Sequence, residues 1–309
     1  MNRIAAIDLG TNNFNIIIAE KNKNEINYLF KHKVPVKLGN DGIKGNTITD
    51  DGINRSLNTL KEFKKTAIDY NVSKIIAAGT SIFRTSKNTD YFLRIVKKEL
   101  DIDIQIISGD KEAQLIYLGI KQTITDLNEN FLIIDIGGGS NELIIADNKM
   151  IHWKKSYPVG IARLNSFFAT NDPITESEIL KIENYLSCQT NDFIEYLNTY
   201  KPKYIIGAEG AFESFIKIAN ENFSKKIFYD NSKAVELPND TYFQILNLII
   251  KSNSEQLKNL KGLDYYRVDM IVKACIFINY MVKTTQLNKI FVSPFSLKEG
   301  MVWEYFINY

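Results

Sequence analysis

Two stretches of the chain, IDLGTNNFNIIIAE (residues 7–20) and IDIGGGSNELIIAD (residues 134–147), align with each other without a gap. In each stretch an apolar run ends in Asp, passes through a turn of small polar residues and resumes as a second apolar run. Asp8 and Asp135 are the matching acids, 127 positions apart. A repeat at this spacing predicts two halves of like fold, each built on a strand–turn–strand hairpin.

The residues around the first hairpin alternate between strand-like and helix-like patterns. Between residues 50 and 70, Ile53, Leu57 and Leu60 recur at steps of three and four, and Thr49 or Asp50 is placed to cap a helix. Strands are expected over residues 3–8, 14–20, 26–36, 74–78 and 104–107, and helices over 50–70, 89–100 and from 110 onward. The fold class predicted is α/β, with one domain over residues 1–124 and a second over 125–309, divided in the polar run TDLNEN.

The composition is that of a globular protein, and it excludes several classes of function. Hydrophobic residues make up 45% of the chain and charged residues 24%, and the formal net charge of +2 gives no reason to expect nucleic acid or a membrane as a partner. Cys188 and Cys275 lie far apart, so we expect two reduced core thiols and no disulfide or zinc site. No apolar run reaches the length of a membrane span, and we expect a cytoplasmic protein.

The turns of the two hairpins have the composition of phosphate-binding loops. Glycine is expected to adopt positive φ there and to let backbone N–H groups approach an anion closely, while Thr, Ser and Asn side chains add donors. The candidate phosphate-binding residues are Gly10, Thr11, Asn12, Asn13, Gly137, Gly138, Gly139, Ser140 and Asn141. Asp8 and Asp135 directly follow strands that ought to be buried, which suggests carboxylates that face a Mg²⁺ ion through its water shell.

Further motifs carry a resemblance to a known family. GTSIFRTSKN, IISGDKEAQLIYLGI, YPVGIARL, GAEGAF and VSPFSLKEGMVWE, together with the two hairpins, resemble in order the motifs of the exopolyphosphatase and guanosine pentaphosphate phosphohydrolase (Ppx/GppA) family. The resemblance covers nearly the whole chain and looks like the short, two-domain form. It implies duplicated actin-like domains of the sugar kinase and heat-shock ATPase superfamily, each ribonuclease H-like, with the ligand in the cleft between them. A final helix over residues 296–307 is expected to pack back on the first half.

The resemblance also implies roles for individual side chains. Glu112 matches the general base, and its place in the first turns of a helix capped by Ser108 favours an ionised carboxylate. Asp135 and Glu142 match ligands of a metal ion (Mg²⁺ or Mn²⁺) or of its waters, and Asp8 is expected to share that task. The candidate metal-facing residues are therefore Asp8, Asp135 and Glu142.

Three of the arginines are candidates for phosphate binding or for structural ion pairs. Arg84 is favoured as a bidentate phosphate clamp, while Arg163 could equally serve in a structural ion pair. Arg267 and Asp269 look like a structural pair at a helix start.

The chain departs from the family pattern at a few positions. Lys111 stands where relatives often carry an acid, which is expected to weaken the base and to bring a cation near the substrate. Glu209 and Ala211 replace a smaller residue and a Thr, and the negative charge at 209 puts that subsite in doubt.

The function expected is that of an exopolyphosphatase, which removes the terminal phosphate of inorganic polyphosphate as orthophosphate. Hydrolysis of guanosine pentaphosphate is the alternative, because both substrates present a chain of anhydride-linked phosphates to the same loops. An actin-fold kinase and a non-catalytic regulator that binds polyphosphate or a nucleotide are the other readings. Formation of a homodimer is left open.

Overall fold

The computed structural model describes residues 2–23, 25–39, 43, 45–124, 127–224, 226–229 and 232–308. The first half contains the strands β1 (Asn2–Leu9), β2 (Asn13–Asn22), β3 (Glu25–Pro35), β4 (Lys74–Gly79) and β5 (Ile104–Ile106). Its helices are α1 (Asp50–Asp69), α2 (Ser81–Thr85), α3 (Thr89–Leu100) and α4 (Gly109–Lys121).

The second half contains the strands β6 (Phe131–Ile136), β7 (Asn141–Ala146), β8 (Ile151–Tyr157), β9 (Tyr204–Ala208), β10 (Val235–Leu237) and β11 (Ile290–Ser293). Its helices are α5 (Ile161–Phe167), α6 (Glu176–Gln189), α7 (Phe193–Tyr200), α8 (Gly210–Asn222), α9 (Asn239–Lys251), α10 (Ser254–Lys258), α11 (Val268–Thr285) and α12 (Leu297–Asn308). A 3₁₀ turn, Tyr265–Arg267, leads into α11.

The two sheets repeat one topology. The strand order is β3-β2-β1-β4-β5 in the first sheet and β8-β7-β6-β9-β11 in the second, where β10 adds an antiparallel edge strand. In both sheets the first three strands are antiparallel and the next two run parallel to the central one. The predicted fold class, a duplicated α/β domain of the actin-like type, is therefore confirmed.

Most local expectations agree with the structure, and one is wrong. Helix α1 begins after Thr49, whose side chain accepts a hydrogen bond from Gly52 N, and its apolar stripe is buried except for Ile68, which is 64% exposed. Cys275 is a buried thiol as expected, but Cys188 is exposed because it lies on the solvent side of α6.

None of the described helices combines the length and apolar character that a membrane span requires. The predicted domain boundary stays a prediction, since residues 125 and 126 lie outside the described part of the chain.

Two helices, α4 and α12, lie between the sheets, and each packs on the sheet of the other half. Helix α4 follows the first sheet in sequence but also packs on β7 and β8 of the second, while α12 follows the second sheet and packs on β1, β2 and α4. Apolar side chains from both sheets and both helices form one buried cluster. Gly119 and Gly300 let the helices meet, because a Cβ atom at either position would lie within 2.2 Å of a backbone oxygen of the other segment. The starts of α4 and α12 are thereby fixed beside the two hairpins.

Candidate functional site

The turns of the two hairpins face each other across one cleft. A Cβ atom on Gly138 would lie 2.6 Å from Asn12 Nδ2, and one on Gly139 would lie 2.7 Å from Thr11 Oγ1. The hairpins also line the cleft with Asp8, Asn13, Asn15, Asp135, Ser140 and Glu142. Other segments supply Lys33, Ser81, Glu112, Glu209, Arg267, Ser296 and Lys298. The matching copies in the sequence thus meet in space.

The turn glycines are needed for space and not for an unusual backbone conformation. The expectation that Gly10 and residues 137–139 adopt positive φ is wrong, because among the described glycines only Gly210 and Gly262 do so. A side chain on Gly10 would instead press on the oxygen of Asn13, at 2.9 Å, and one on Gly137 on the oxygen of Ser140, at 2.5 Å. The same hydrogen bond, from the Gly N–H to that oxygen at 3.0 Å, closes both turns.

The backbone around both turns is arranged to bind an anion. The oxygen of Thr11 accepts a hydrogen bond from Gly39 N at 3.0 Å, and the matching oxygen of Gly138 accepts one from Ala162 N at 2.8 Å. These bonds draw the carbonyl groups away from the cleft. Within the described residues, the N–H groups of 11, 12, 138 and 139 donate no hydrogen bond. Unused amides that converge on a concave surface form a site for phosphate oxygens.

Each hairpin holds its acid in register with a polar partner. Asp8 pairs across the strands with Asn15, and the amide of Asn15 donates to Asp8 Oδ2 at 2.8 Å. Asp135 pairs with Glu142 in the second hairpin, and the Ser296 hydroxyl at the start of α12 donates to Asp135 Oδ2 at 2.6 Å. Strand register therefore places Asp135 beside Glu142, and the meeting of the two hairpins adds Asp8 to the same cleft.

Burial shifts the acid–base behaviour of these carboxylates. Removal from water raises the pKa of Asp8 to about 7, and the charge of Asp135 adds to the effect of burial there. Burial likewise raises the pKa of Asp135 to about 6 and that of Glu142 to about 7, although Ser140 and Ser156 each donate to Glu142 Oε1 at 2.7 Å. Buried carboxylates that repel one another favour a bound cation.

The donors in the cleft fit a hydrated divalent cation. Among the described residues, no three His, Cys, Asp or Glu side chains form a cluster that could hold a metal directly. The cleft nevertheless contains buried side-chain oxygens without a hydrogen-bond partner, those of Thr11, Asn12, Asn13 and Asn15. Mg²⁺ retains several waters and uses one or two carboxylates together with substrate phosphates. The carboxylates of Asp8, Asp135 and Glu142, together with these unpaired oxygens, suit such an ion.

Glu112 lies at the start of α4, where Ser108 caps the helix by accepting from Lys111 N at 3.1 Å. Its side chain is 10% exposed, and Oε2 is 2.6 Å from Arg84 Nη1. Burial and the charge of Glu142 raise the pKa of Glu112 well above its ordinary value, while Arg84 acts in the opposite direction. A buried carboxylate with a raised pKa, facing the turn residues, is suited to accept a proton.

Two predicted phosphate-binding residues occupy unexpected positions. The guanidinium of Arg84 does not line the cleft; it binds Glu112, the oxygen of Ile107 and, at 3.3 Å, the Ser140 hydroxyl. Asn141 is fully buried and donates to the oxygen of Val159, away from the cleft. Arg84 therefore contacts the candidate base and the second turn, and Asn141 supports the loop that precedes α5.

Lys111 does not bring a cation to the substrate. Its side chain forms an ion pair with Glu304 of α12 and lies outside the cleft that Glu112 lines. The expectation that Lys111 brings a cation near the substrate is thus wrong, because successive positions on a helix face different directions and the residue before Glu112 points into the contact with α12.

The charge of Glu209, in contrast, is compensated within the cleft. Glu209 binds Lys298, which also lies 3.3 Å from Glu299. Burial disfavours ionisation of Glu209, but the charges of Lys298 and Lys33 outweigh it, and the pKa of Glu209 is lowered. The residue adopts φ 33° and ψ −140°, a conformation that strains a side-chain-bearing residue. Lys298 belongs to the motif VSPFSLKEGMVWE, but nothing in the sequence indicated that it pairs with Glu209, 89 positions away.

Arg267 lines the cleft, and the pairing with Asp269 that the sequence suggested is wrong. It is buried, it lines the cleft, and its Nε has no hydrogen-bond partner. Its ionic contacts are long, 3.6 Å to Asp264 and 3.9 Å to Glu213. Asp269 is not its partner but binds Lys37 at 3.3 Å. The feature that could have singled out Arg267 is its residue type, because this chain uses lysine for most of its cationic side chains.

The comparison with protein families agrees with this arrangement. The model of the Ppx/GppA phosphatase family matches residues 17–307. The chain belongs to the Ppx/GppA phosphatase family. The crystal structure of an exopolyphosphatase from Cytophaga hutchinsonii superposes with a TM-score of 0.96, at 31% sequence identity, over 99% of this chain and 98% of that one. The family recognised from the motifs is thereby confirmed.

Curated relatives differ in length and in similarity. A bifunctional 3-dehydroquinate synthase/phosphatase from Fusobacterium nucleatum is 32% identical over 89% of this chain, which spans 42% of that relative's length. Exopolyphosphatase 1 of Mycobacterium tuberculosis is 20% identical over 97% of this chain and 87% of the relative. The family is one of phosphatases, and its members carry the two-domain fold.

Proposed function

We propose that this protein is an exopolyphosphatase, which hydrolyses the terminal phosphoanhydride of inorganic polyphosphate and releases orthophosphate. The observation that carries the proposal is the pair of turns whose free amides face each other across a cleft, with the carboxylate of Glu112 beside them. Two opposed sets of amides suit a chain of phosphates better than a single phosphate monoester, because each set can hold a different phosphate group.

Glu112 acts as the base in this reaction. A water molecule attacks the terminal phosphorus in line with the bridging oxygen and loses its proton to Glu112. The new P–O bond forms to the water oxygen, the bridging P–O bond breaks, and its electron pair stays on the shortened chain. Arg84, 2.6 Å from Glu112, opposes the rise that burial causes in the pKa of this carboxyl group. The amides of the two turns hold the phosphate oxygens in place.

Asp8, Asp135 and Glu142 would hold a Mg²⁺ or Mn²⁺ ion through its water shell. When bound, the ion neutralises charge on the phosphate oxygens as the bridging bond breaks. Asn15 and Ser296 orient two of these carboxylates, and Ser140 and Ser156 orient the third. The residues that surround the carboxylates therefore fix the direction of their free oxygens.

Guanosine pentaphosphate is the second candidate substrate, and Arg267 favours it. Its buried guanidinium lines the cleft, its Nε makes no hydrogen bond and only a 3.6 Å ionic contact with Asp264, and a guanidinium can bind the polar edge or the face of a base. Glu209 disfavours the binding of a nucleotide, because its side chain, paired with that of Lys298, takes up part of the lining of the same cleft.

Measurement of orthophosphate release tests the proposal. Polyphosphates of several lengths and guanosine pentaphosphate are each incubated with the protein, with Mg²⁺ or Mn²⁺ and with a chelator. We expect release from polyphosphate that depends on the cation and is lost in Glu112→Gln. Tight binding of polyphosphate without any release, with either cation, would make the protein a regulator. Preferential hydrolysis of guanosine pentaphosphate would reverse the order of the two substrates.

A further inference from the structure

A second concave surface adjoins the cleft. It is lined by Arg84, Arg163 and Lys155, and it shares Ser81 and Ser140 with the cleft. We call this surface, defined by those five residues, the arginine groove. Its volume of about 420 Å³ leaves room for a small ion with several waters, since each water takes about 30 Å³ in the liquid. The Arg84–Glu112 ion pair stands where the cleft and the groove meet.

Arg163 brings positive charge that no carboxylate among the described residues neutralises, whereas Arg84 is paired with Glu112. Arg163 uses Nε for the oxygen of Gly139, at 2.9 Å, and its Nη atoms donate to no other residue in the part of the chain that the structure describes. Burial and the charge of Arg84 lower the pKa of Arg163, which shows that the two guanidinium groups repel each other. Two cations held close together in this way attract a counter-anion.

The acids near the groove are already engaged. Asp110 also lines it, but its carboxylate is 3.1 Å from the ammonium of Lys154. Lys155 is 46% exposed and lies 2.6 Å from Asp192, which does not line the groove. Of the carboxylates near the arginines, Glu112 already belongs to the Arg84 pair, and Glu142 accepts hydrogen bonds from Ser140 and Ser156. The free donors that the groove presents to an anion are therefore the Nη groups of Arg163.

We propose that the arginine groove is a binding site for orthophosphate, which enters it from the cleft past the Arg84–Glu112 pair. The inference rests on the proposed function. In an in-line reaction the phosphate that is cut off lies on the side of the attacking water, and Glu112 marks that side. The shortened chain lies on the opposite side, in the cleft. Orthophosphate can thus leave through the groove while the chain stays bound between the two turns.

The first test asks whether orthophosphate and a chain bind together. The protein is saturated with a polyphosphate analogue whose terminal bridging oxygen is replaced by CH₂, and inorganic phosphate is then titrated in by calorimetry. We expect orthophosphate to bind the saturated protein. If the analogue abolishes all binding of orthophosphate, the only site is in the cleft and the proposal of a second site is wrong.

The second test uses variants of the groove. Arg163→Gln and Lys155→Gln are expected to weaken orthophosphate binding to the analogue-saturated protein about tenfold, the loss of one charge-assisted hydrogen bond. Lys149→Gln makes the same charge change on the exposed turn between β7 and β8 and should have no effect. Circular dichroism establishes that each variant is folded. Unchanged affinity in both groove variants would overturn the proposal.

The outcomes separate this inference from the proposed function. A protein that releases no phosphate from any polyphosphate, yet binds orthophosphate beside the analogue and loses it in Arg163→Gln, contradicts the hydrolase proposal and supports the groove as an orthophosphate site. An active hydrolase in which orthophosphate competes fully with the analogue supports the function and contradicts the groove.

Discussion

Glu112 lies between a guanidinium and other carboxylates, and these neighbours define its chemistry. Arg84 draws its pKa down, while burial, Glu142 and Asp8 raise it. We expect Glu112→Gln to keep most of the affinity for polyphosphate and to reduce kcat by about 100-fold to 10,000-fold, because a base acts on the attacking water and not on the bound chain. Steady-state kinetics with a matched binding assay provide the measurement.

A matched acid serves as the control for Glu112. Asp103 precedes the same helix but its carboxylate is 84% exposed, so Asp103→Asn should leave kcat intact. If Glu112→Gln turned over polyphosphate at the rate of the unmodified protein, another group would have to be the base.

Lys298 is the residue on which a buried charge network depends. Although burial opposes its charged form, Glu209 and Glu299 raise its pKa, so it is a cation at any ordinary pH. Lys298→Met leaves Glu209 without its main partner, whereas Glu299 keeps Lys31 at 3.0 Å. We expect the free energy of unfolding to fall by about 3 kcal/mol, as when one partner of a buried pair is removed. Urea denaturation gives this value.

The double variant Lys298→Met/Glu209→Gln separates lost charge pairing from lost packing. It should regain part of the stability, because no carboxylate is then left uncompensated at position 209. Lys283→Met, which breaks an ion pair with Glu183 at a lysine that is 60% exposed, should change stability little. Additive losses at 298 and 209 would show that the two charges do not interact.

At the scale of elements, the crossing of α4 and α12 holds the two halves together and places both ends of the site. Helix α4 carries Glu112 and α12 carries Lys298, and the helices touch where Gly119 and Gly300 lie. In Gly300→Ala the new Cβ would lie 1.8 Å from the oxygen of Leu115, so the helices must separate. We expect the Tm to fall by about 5 °C or more, with a parallel loss of activity.

Gly45→Ala is the control for this substitution. No atom lies within 4 Å of the Cβ position at Gly45, and its φ is not in the left-handed region. Thermal unfolding followed by circular dichroism compares the two variants. Equal Tm values would mean that the helix crossing tolerates a methyl group and that the close approach does not control stability.

For the whole molecule, the sequence could predict what depends on neighbours along the chain. The repeat of apolar runs around Asp8 and Asp135 specified both hairpins, and Thr49 and Ser108 marked helix starts, because strand alternation and capping are local. The positive φ expected for Gly10 was wrong, since its need for a small residue comes from an oxygen in the same turn and not from φ.

Pairs that join distant segments could not be predicted. The Arg84–Glu112 and Glu209–Lys298 pairs depend on how α2, α4, α8 and α12 pack, and no spacing in the sequence encodes that packing. The position of Arg267 in the cleft likewise depends on how the turn before α11 lies beside α8, which carries Glu213. Tertiary packing therefore supplied the part of the site that decides charge balance.

The charge balance of the cleft should make the stability of the whole molecule depend on cation and pH together. A carboxyl group whose pKa is raised on folding stabilises the protein below its unfolded pKa, near 4, and this contribution is lost as the pH rises through the folded value. For Asp8 and Glu142 the folded pKa is about 7, and for Asp135 about 6. Above about pH 7 the three buried charges destabilise the fold, and a bound divalent cation reduces the repulsion between them.

We therefore expect MgCl₂ to raise the Tm more at about pH 8 than at about pH 5.5. We also expect Asp8→Asn to raise the Tm in chelator at about pH 8 while reducing the gain from Mg²⁺. Asp103→Asn should do neither, and an equal effect of Mg²⁺ at both pH values would mean that the ion binds elsewhere.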